Sequence, residues 1–329
     1  MIIKSKIGMP IYRQIISYIE EGIESGELKK GDRLPSINKV KNDHHLSRDT
    51  VLMAFNDLKN RGIIKSVVGK GYYVSNEDIK VSQKIFLLFD ELNAFKEDLF
   101  NAIIENLGEN IQVDIFFHHF NKEIFSKLIY DNIGNYNYYV IMPANMDSTG
   151  FDIQNLPNDK VYILDQIHDD LLEYSAIFQN FDKAICNNMT KVLDLIRKYK
   201  KIVLVFDEIK QPKGLRNGFL RFCEVNNFSY EIIGTLKDRQ LEKRALYVLL
   251  DDFNLLTLIK KAKELNYALA KEIGVISYND TLLKEIVANG ITTISTDFNV
   301  MGKRLAAMIL NKEKVQLENP INLLLRNSF

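Results

Sequence analysis

Apolar positions near the start of the chain follow a helical rhythm. Ile11, Ile15, Tyr18, Ile19 and Ile23 recur at spacings of three and four, which predicts an amphipathic helix opening at Pro10 and ending at Gly26. A short second helix is expected from Arg33-Leu34-Pro35-Ser36 to about Lys41. Ser47 suits the N-cap of a third helix, with Asp49 in its first turn, Val51, Ala54, Phe55 and Leu58 on its buried side and Gly62 at its end. Two β-prone runs, 63–67 and 72–74, flank Val68-Gly69-Lys70-Gly71 and predict a hairpin with a glycine-rich tip. Three helices and a hairpin in this order predict a winged helix-turn-helix. In that motif a helix fits the DNA major groove and the wing lies against phosphates or the minor groove.

After residue 83 the rhythm changes to alternating strands and helices. Strands are expected at 84–89, 111–117, 138–142, 160–164, 201–206, 230–233, 245–250 and 274–277. Helices are expected at 94–106, 122–130, 182–199, 213–225, 253–264 and 281–289. Runs such as Ile202-Val203-Leu204-Val205-Phe206 are apolar throughout, as in a parallel sheet covered on both faces. Alternating βα units predict a doubly wound α/β body. Eight strands exceed one typical sheet, so two lobes are expected.

Charge sharpens this division. The 329-residue chain carries 43 basic and 43 acidic side chains, a formal net charge of zero, which excludes a wholesale polyelectrolyte partner. Residues 1–80 hold 14 basic and 10 acidic side chains, net +4, and the remainder is net −4. Two cysteines, Cys186 and Cys223, offer no disulfide framework and no metal knuckle, and read as core residues of a reducing compartment. No apolar run approaches the ~18 residues that span a bilayer, and Met1 to Pro10 lack the features of a secretory leader. A cytoplasmic protein with no membrane partner is the expectation.

Catalytic and cofactor motifs are not found. Gly69-Lys70-Gly71 opens no helix, and neither a Gly-x-Ser-x-Gly elbow nor a His-Glu-x-x-His run occurs. His44-His45 and His118-His119 lack a third ligand at metal spacing, so they read as surface or packed histidines. No cofactor, no metal and no enzymatic activity are expected.

The first segment resembles a known family. "PIYRQI", "GELKKGDRLPS" and "LSRDTVLMAFNDLKNRGIIKSVVGKGYYV" are similar to the DNA-binding domain of the GntR (gluconate-repressor) family over residues 9–75. The resemblance implies DNA-contacting roles for Arg33, Ser36, Ser47, Arg48, Thr50 and the wing residues Gly69 and Gly71, with Lys70 at the wing tip as a phosphate contact. Arg48 is the best candidate for reading a guanine edge, against the alternative of a solvated surface charge. Where the family continues Leu-Pro-Ser with Glu-Arg-Glu-Leu, this chain has Ile37-Asn38-Lys39-Val40, so Asn38 stands in place of an arginine that commonly contacts DNA.

The body resembles the effector domain of the lactose-repressor family, which has the type I periplasmic-binding-protein fold. The matching pieces are Asn93-Ala94-Phe95, Val140 to Pro143, Val161 to Asp165, "LRNGFLRF" (215–222) against Arg-x-x-Gly-Phe, "VLLDD" (248–252), "IGVISYNDT" (273–281) and "ITTISTDFNVMG" (291–302). A GntR-type head on this body is similar to the arabinose-repressor group. That likeness implies a winged helix-turn-helix at 1–75, a linker at 76–83 and an effector-binding, dimerising domain at 84–329. Lobe A would be about 83–178 with 298–318, and lobe B about 179–297 with 319–329. Strand ends carry polar residues where open α/β sheets bind ligands. The expected effector-binding set is Asp90, Phe95, Asp165, Phe178, Arg216, Asp251, Asn279 and Asp280. Asp251 replaces a usual asparagine and Asn279 a usual aspartate, so ligand identity does not carry over.

Carboxylates, amides and an arginine around a cleft suit the hydroxyls of a monosaccharide, and Phe95 and Phe178 are candidates to stack on its apolar face. Helix capping competes as the role of Asp252 and Asp280, and a surface ion pair as that of Arg216. The reading is a homodimeric transcription regulator, most simply a repressor of carbohydrate utilisation, that binds double-stranded operator DNA under control of a small sugar. The alternative is the same head fused to an enzyme body such as a pyridoxal-phosphate enzyme, for which the body is short and shows no Schiff-base lysine setting.

Overall fold

The computed structural model describes residues 10–77, 79 and 83–329. Residues 1–9, and positions 78 and 80–82 of the expected 76–83 linker, lie outside the described residues.

The head is built from α1 (Ile11–Glu24), α2 (Ile37–His44), α3 (Arg48–Asn60) and the hairpin β1 (Ile64–Val67) and β2 (Gly71–Val74). Ile15, Ile16, Ile19 and Ile23 of α1 close over Val51, Ala54, Phe55 and Leu58 of α3, with Val40 of α2 and Val74 of the wing completing one core. The serines do the capping their positions suggest: Ser36 Oγ accepts from Lys39 N and Ser47 Oγ from Thr50 N, both at 3.1 Å. The hairpin is antiparallel, and Gly69 at its tip takes φ +71°, a backbone conformation that side-chain-bearing residues rarely adopt. Helix 2 begins four residues later than expected, since Arg33 and Leu34 instead run beside β2, with Leu34 N donating to Tyr72 O at 2.9 Å.

The body starts with β3 (Gln83–Phe89), α4 (Ala94–Leu107), β4 (Ile111–Phe117), α5 (Lys122–Asp131), β5 (Tyr138–Ile141), α6 (Gly150–Ile153), β6 (Val161–Asp165) and β7 (Ser175–Phe178). It continues with α7 (Phe181–Lys191), α8 (Leu193–Ile196), β8 (Lys201–Val205), α9 (Lys213–Val225), β9 (Ser229–Ile233), β10 (Ala245–Leu249), α10 (Asp252–Glu264), β11 (Gly274–Tyr278), α11 (Leu282–Ile286) and β12 (Thr292–Thr296). Last come α12 (Phe298–Asn311), β13 (Gln316–Glu318) and β14 (Ile321–Leu324). One six-stranded sheet, all parallel, has the order β4-β3-β5-β6-β7-β13. The other has the order β9-β8-β10-β11-β12-β14, with β14 antiparallel to β12.

Each sheet is a layer between two apolar cores, one on each face. Strands β5, β10, β11 and β12 are buried throughout, and the first three are accordingly apolar almost without a break. The chain passes between the sheets three times: from β7 to α7, from β12 to α12 and from β13 to β14.

All eight expected body strands form, with boundaries shifted by a residue at most. The helix expected at 182–199 breaks at Val192 into α7 and α8. Strands β7, β12, β13 and β14 and helix α12 lie where the apolar pattern predicts no element. Helix α12 packs on α4 so closely that a Cβ on Gly302 would meet Ala102 Cβ and Leu99 O at 2.8 Å. Among the described residues, no helix is long and apolar enough to cross a membrane.

Candidate functional site

Two surfaces carry the candidate residues. On the head, Arg48 and Ser47 are exposed at the N-terminus of α3, where Ser47 Oγ and Thr50 Oγ1 lie 2.7 Å apart. Ser36 and Asn38 are exposed at the start of α2, and Gly69 and Lys70 at the wing tip. Exposed Arg33 places its guanidinium beside Gly71, 3.7 Å from where a Cβ would stand there, so the second segment and the wing form one continuous edge. These side chains flank a helix N-terminus, a site that favours anions through its free N–H groups.

The second surface is a cleft of about 520 Å³ between the carboxyl ends of the two sheets, a size suited to a small molecule. Lobe A supplies Asp90 from the end of β3, Phe95 from α4 and Asp165 from the end of β6; lobe B supplies Asp251 from the end of β10 and Asn279 from the end of β11. Phe95 is held by stacking on Phe298, with ring centroids 4.9 Å apart. Asp165 and Asn279 have φ values of +75° and +58°, off-pattern turns that aim strand-end side chains into the cleft.

Their environments differ. Asp90 is buried against the ammonium of Lys96, also buried, and accepts from Glu91 N at 2.6 Å. Asp165 accepts from Gln179 Nε2 at 2.6 Å. Burial pushes its pKa up to about 6, with the Lys96 charge opposing and the Asp90 charge adding. Asp251, not Asp252, caps α10: its two oxygens take Asn254 N and Asn254 Nδ2, each at 2.8 Å. Asn279 Oδ1, Gln179 Oε1 and the Tyr278 hydroxyl are buried with no protein partner, and all three residues line the cleft. Burial, and then the Asp165 charge, raise the Tyr278 phenol well above its ordinary value.

Three expected residues are not brought into the cleft. Asp280 is turned away and bound by Arg326 through two contacts of 2.7 and 2.8 Å and by the Thr293 hydroxyl at 2.8 Å. Burial works against its charge, but Arg326 and Thr293 hold it below the usual carboxylate range. Phe178 packs against the core on the other face of its sheet and lines a separate groove with His168. Arg216 is exposed on α9, whose Leu215 lines the cleft and whose Phe219 enters the core. The reason lies in the count: an Arg-x-x-Gly-Phe pattern puts its arginine three residues before the glycine, and three before Gly218 is Leu215.

The cleft also holds residues that the strand-end reading overlooks. Lys96, Gln179, Phe181, Phe253, Tyr278 and Lys284 all line it. Lys96 and Lys284 are buried lysines one turn into helices that follow cleft-forming strands, and only the fold shows that they point inward. At the rim the lobes touch: Lys210 Nζ of lobe B lies 3.0 Å from Glu91 Oε2 of lobe A, and the Asn145 amide donates to Gln211 O. His118 is a core residue, buried beneath Phe125 with Nε2 3.0 Å from Met142 O.

Comparison with known proteins places both parts. Residues 11–74 match the family "Bacterial regulatory proteins, gntR family". The chain is 37% identical over 100 residues to the mannosyl-D-glycerate transport/metabolism system repressor MngR of Escherichia coli, covering 30% of this chain and 39% of that protein. It is 31% identical over 115 residues to the transcriptional repressor YtrA of Bacillus subtilis, covering 35% of this chain and 84% of that one. A LacI family transcriptional regulator from Enterococcus faecium, solved with bound ribose, superposes with a TM-score of 0.60 at 18% identity, over 75% of this chain and 98% of that one. This last likeness shows that the body has the lactose-repressor fold. The head sequence, its winged helix-turn-helix and the match across most of YtrA together assign the chain to the gntR family of bacterial regulatory proteins.

Proposed function

We propose that the protein is a transcriptional repressor of carbohydrate utilisation, released from its operator by a small sugar bound between the lobes. The observation that carries the reading is a DNA-binding head joined to a two-lobed cleft whose polar atoms, Asn279 Oδ1, Gln179 Oε1 and the Tyr278 hydroxyl, are buried without partners. Such atoms call for a polar ligand, since each costs free energy until it is paired. Phe95, Phe120, Phe181 and Phe253 add the apolar surface on which a sugar ring packs. The ribose held by the Enterococcus regulator, and the repressor roles named for MngR and YtrA, support the same reading.

On DNA, α3 would lie in the major groove, with Arg48 on base edges, Ser36, Ser47, Thr50 and Arg33 on the backbone and Lys70 at a phosphate. Asn38 would face the same groove with a shorter side chain. A head of net +4 neutralises few phosphates, so two heads on a symmetric homodimer are needed for a specific site. A ligand touching both lobes favours one lobe arrangement by its differential affinity and so resets the spacing of the two heads. Nothing in this scheme requires catalysis by the body.

Fluorescence anisotropy tests it. A labelled duplex carrying the pseudo-palindrome upstream of the gene is titrated with protein at fixed salt, with and without a panel of monosaccharides. Two chains per duplex and weaker binding with one sugar are expected; binding one chain at a time, or indifference to every sugar, overturns the reading.

A further inference from the structure

The cations of the cleft are outnumbered by its acids and already engaged. Its lining contains six carboxylates and three lysines and no arginine. Each lysine is already paired: Lys96 with Asp90, Lys210 with Glu91 at 3.0 Å and Lys284 with Asp252 at 3.0 Å. Lys284 spends its other two N–H bonds on Tyr278 O and Asn279 O, both at 2.7 Å. Asp165, Asp207 and Asp251 are left without a cation of their own, the first on lobe A and the other two on lobe B. Two of the three buried orphan groups, Asn279 Oδ1 and Gln179 Oε1, only accept, while the Tyr278 hydroxyl can also donate. Leu215 holds the cleft position where an arginine would have restored the balance.

A neutral sugar hydroxyl donates and accepts alike and leaves the excess negative charge of the lining unbalanced. An anionic sugar would meet three unneutralised carboxylates. A protonated amine has three donors and a positive charge and matches what this cleft lacks. We infer that the effector is an amino sugar whose ammonium group is held by Asp165, with Asp251 and Asp207 facing it from the other lobe. This rests on the sugar reading above and narrows it to a cationic class. Charge neutralisation from both sides would also draw the lobes together.

The test uses full-length protein and matched sets of probes at pH 7.5 and constant ionic strength. The sets are D-glucosamine, N-acetyl-D-glucosamine, D-glucose and D-glucose 6-phosphate, with the corresponding galactose and mannose sets. Isothermal titration gives the affinities and a thermal shift gives an independent ranking. One amino sugar is expected to bind at least tenfold more tightly than its hydroxyl, acetylated and phosphorylated counterparts. That preference is expected to disappear in Asp165→Asn, which keeps the shape and tolerates the same backbone turn. Asp251→Asn, which still caps α10, is expected to reduce it. Equal or tighter binding of a neutral or phosphorylated member overturns the cationic class and leaves the sugar reading standing. If no member of any set binds, the sugar reading falls and this inference falls with it.

Discussion

Asn319 Nδ2 donates to Thr296 Oγ1 at 2.6 Å, and this contact ties together strands that cross between the lobes. Asn319 lies on the third crossing and Thr296 at the second, while Asn319 N donates to Phe178 O at the first, at 2.7 Å. The Thr296 hydroxyl in turn donates to Pro320 O at 3.1 Å. Asn319 is buried, so its amide has no water to fall back on. Replacing Asn319 with alanine removes the side-chain donor to Thr296 Oγ1 and Asp297 O, while the backbone bond to Phe178 O stays. The expected cost is about 1–3 kcal/mol of stability, read from the urea midpoint. Unchanged stability would show that the three crossings are held by their strands alone.

The head offers a sharper contrast. Arg48 and Lys70 are both exposed, but one stands at the N-terminus of a groove-sized helix and the other at the tip of a wing. Arg48→Ala is expected to weaken operator binding by about 1–3 kcal/mol and to relax base preference. Lys70→Ala should weaken all sequences alike and flatten the salt dependence. The check is a salt series on the operator and on a scrambled duplex. Loss of selectivity in Lys70→Ala rather than Arg48→Ala would reverse the two roles.

Much of the architecture is legible in the sequence, and the gaps have physical causes. Helices with one apolar stripe and strands such as 202–206 announce themselves because burial demands continuous apolar residues. Strand β12 does not, since Thr292, Thr293, Ser295 and Thr296 are buried hydroxyls that find partners only in the folded chain, such as Asp280 and Asn319. The edge strands β13 and β14 are too short and half-exposed to leave a pattern. In the cleft, strand-end acids are visible because open sheets always present their carboxyl ends. Lys96 and Lys284 are not, because a lysine in a helix reads as solvated until its burial is known.

Acidity supplies a third prediction. The Asp165 pKa lies near 6, above its ordinary value of 3.8, so the native state holds its proton more tightly than the unfolded chain. Stability from this group is therefore present at low pH and is lost as pH rises through about 6. Asp165→Asn removes the penalty, and its thermal midpoint is expected to exceed that of the wild type at pH 7.5, with the difference shrinking as pH falls toward 4. A constant difference between the two proteins over this range would mean that Asp165 is ionised without cost.

Arg216 and Leu215 decide how the cleft was built. Neighbours in sequence on α9, they point in different directions: Leu215 into the cleft and Arg216 to solvent. A helix rotates about 100° per residue, so a shift of one position moves a side chain from one face to another. Arg216→Ala therefore removes only a solvated charge, and both operator binding and its response to the effector are expected to stay within twofold of wild type. Leu215→Arg is expected to act in the opposite sense. It would bring a guanidinium among Asp165, Asp207 and Asp251, satisfy the acids that await a cation, and fill space meant for the ligand. Effector affinity should fall by at least tenfold while operator binding without effector is retained, because the head is untouched. Both variants are read by the same anisotropy titration, with and without the effector. Loss of the response in Arg216→Ala would show that α9 turns about its axis in solution relative to the packing of Leu215 and Phe219 described above.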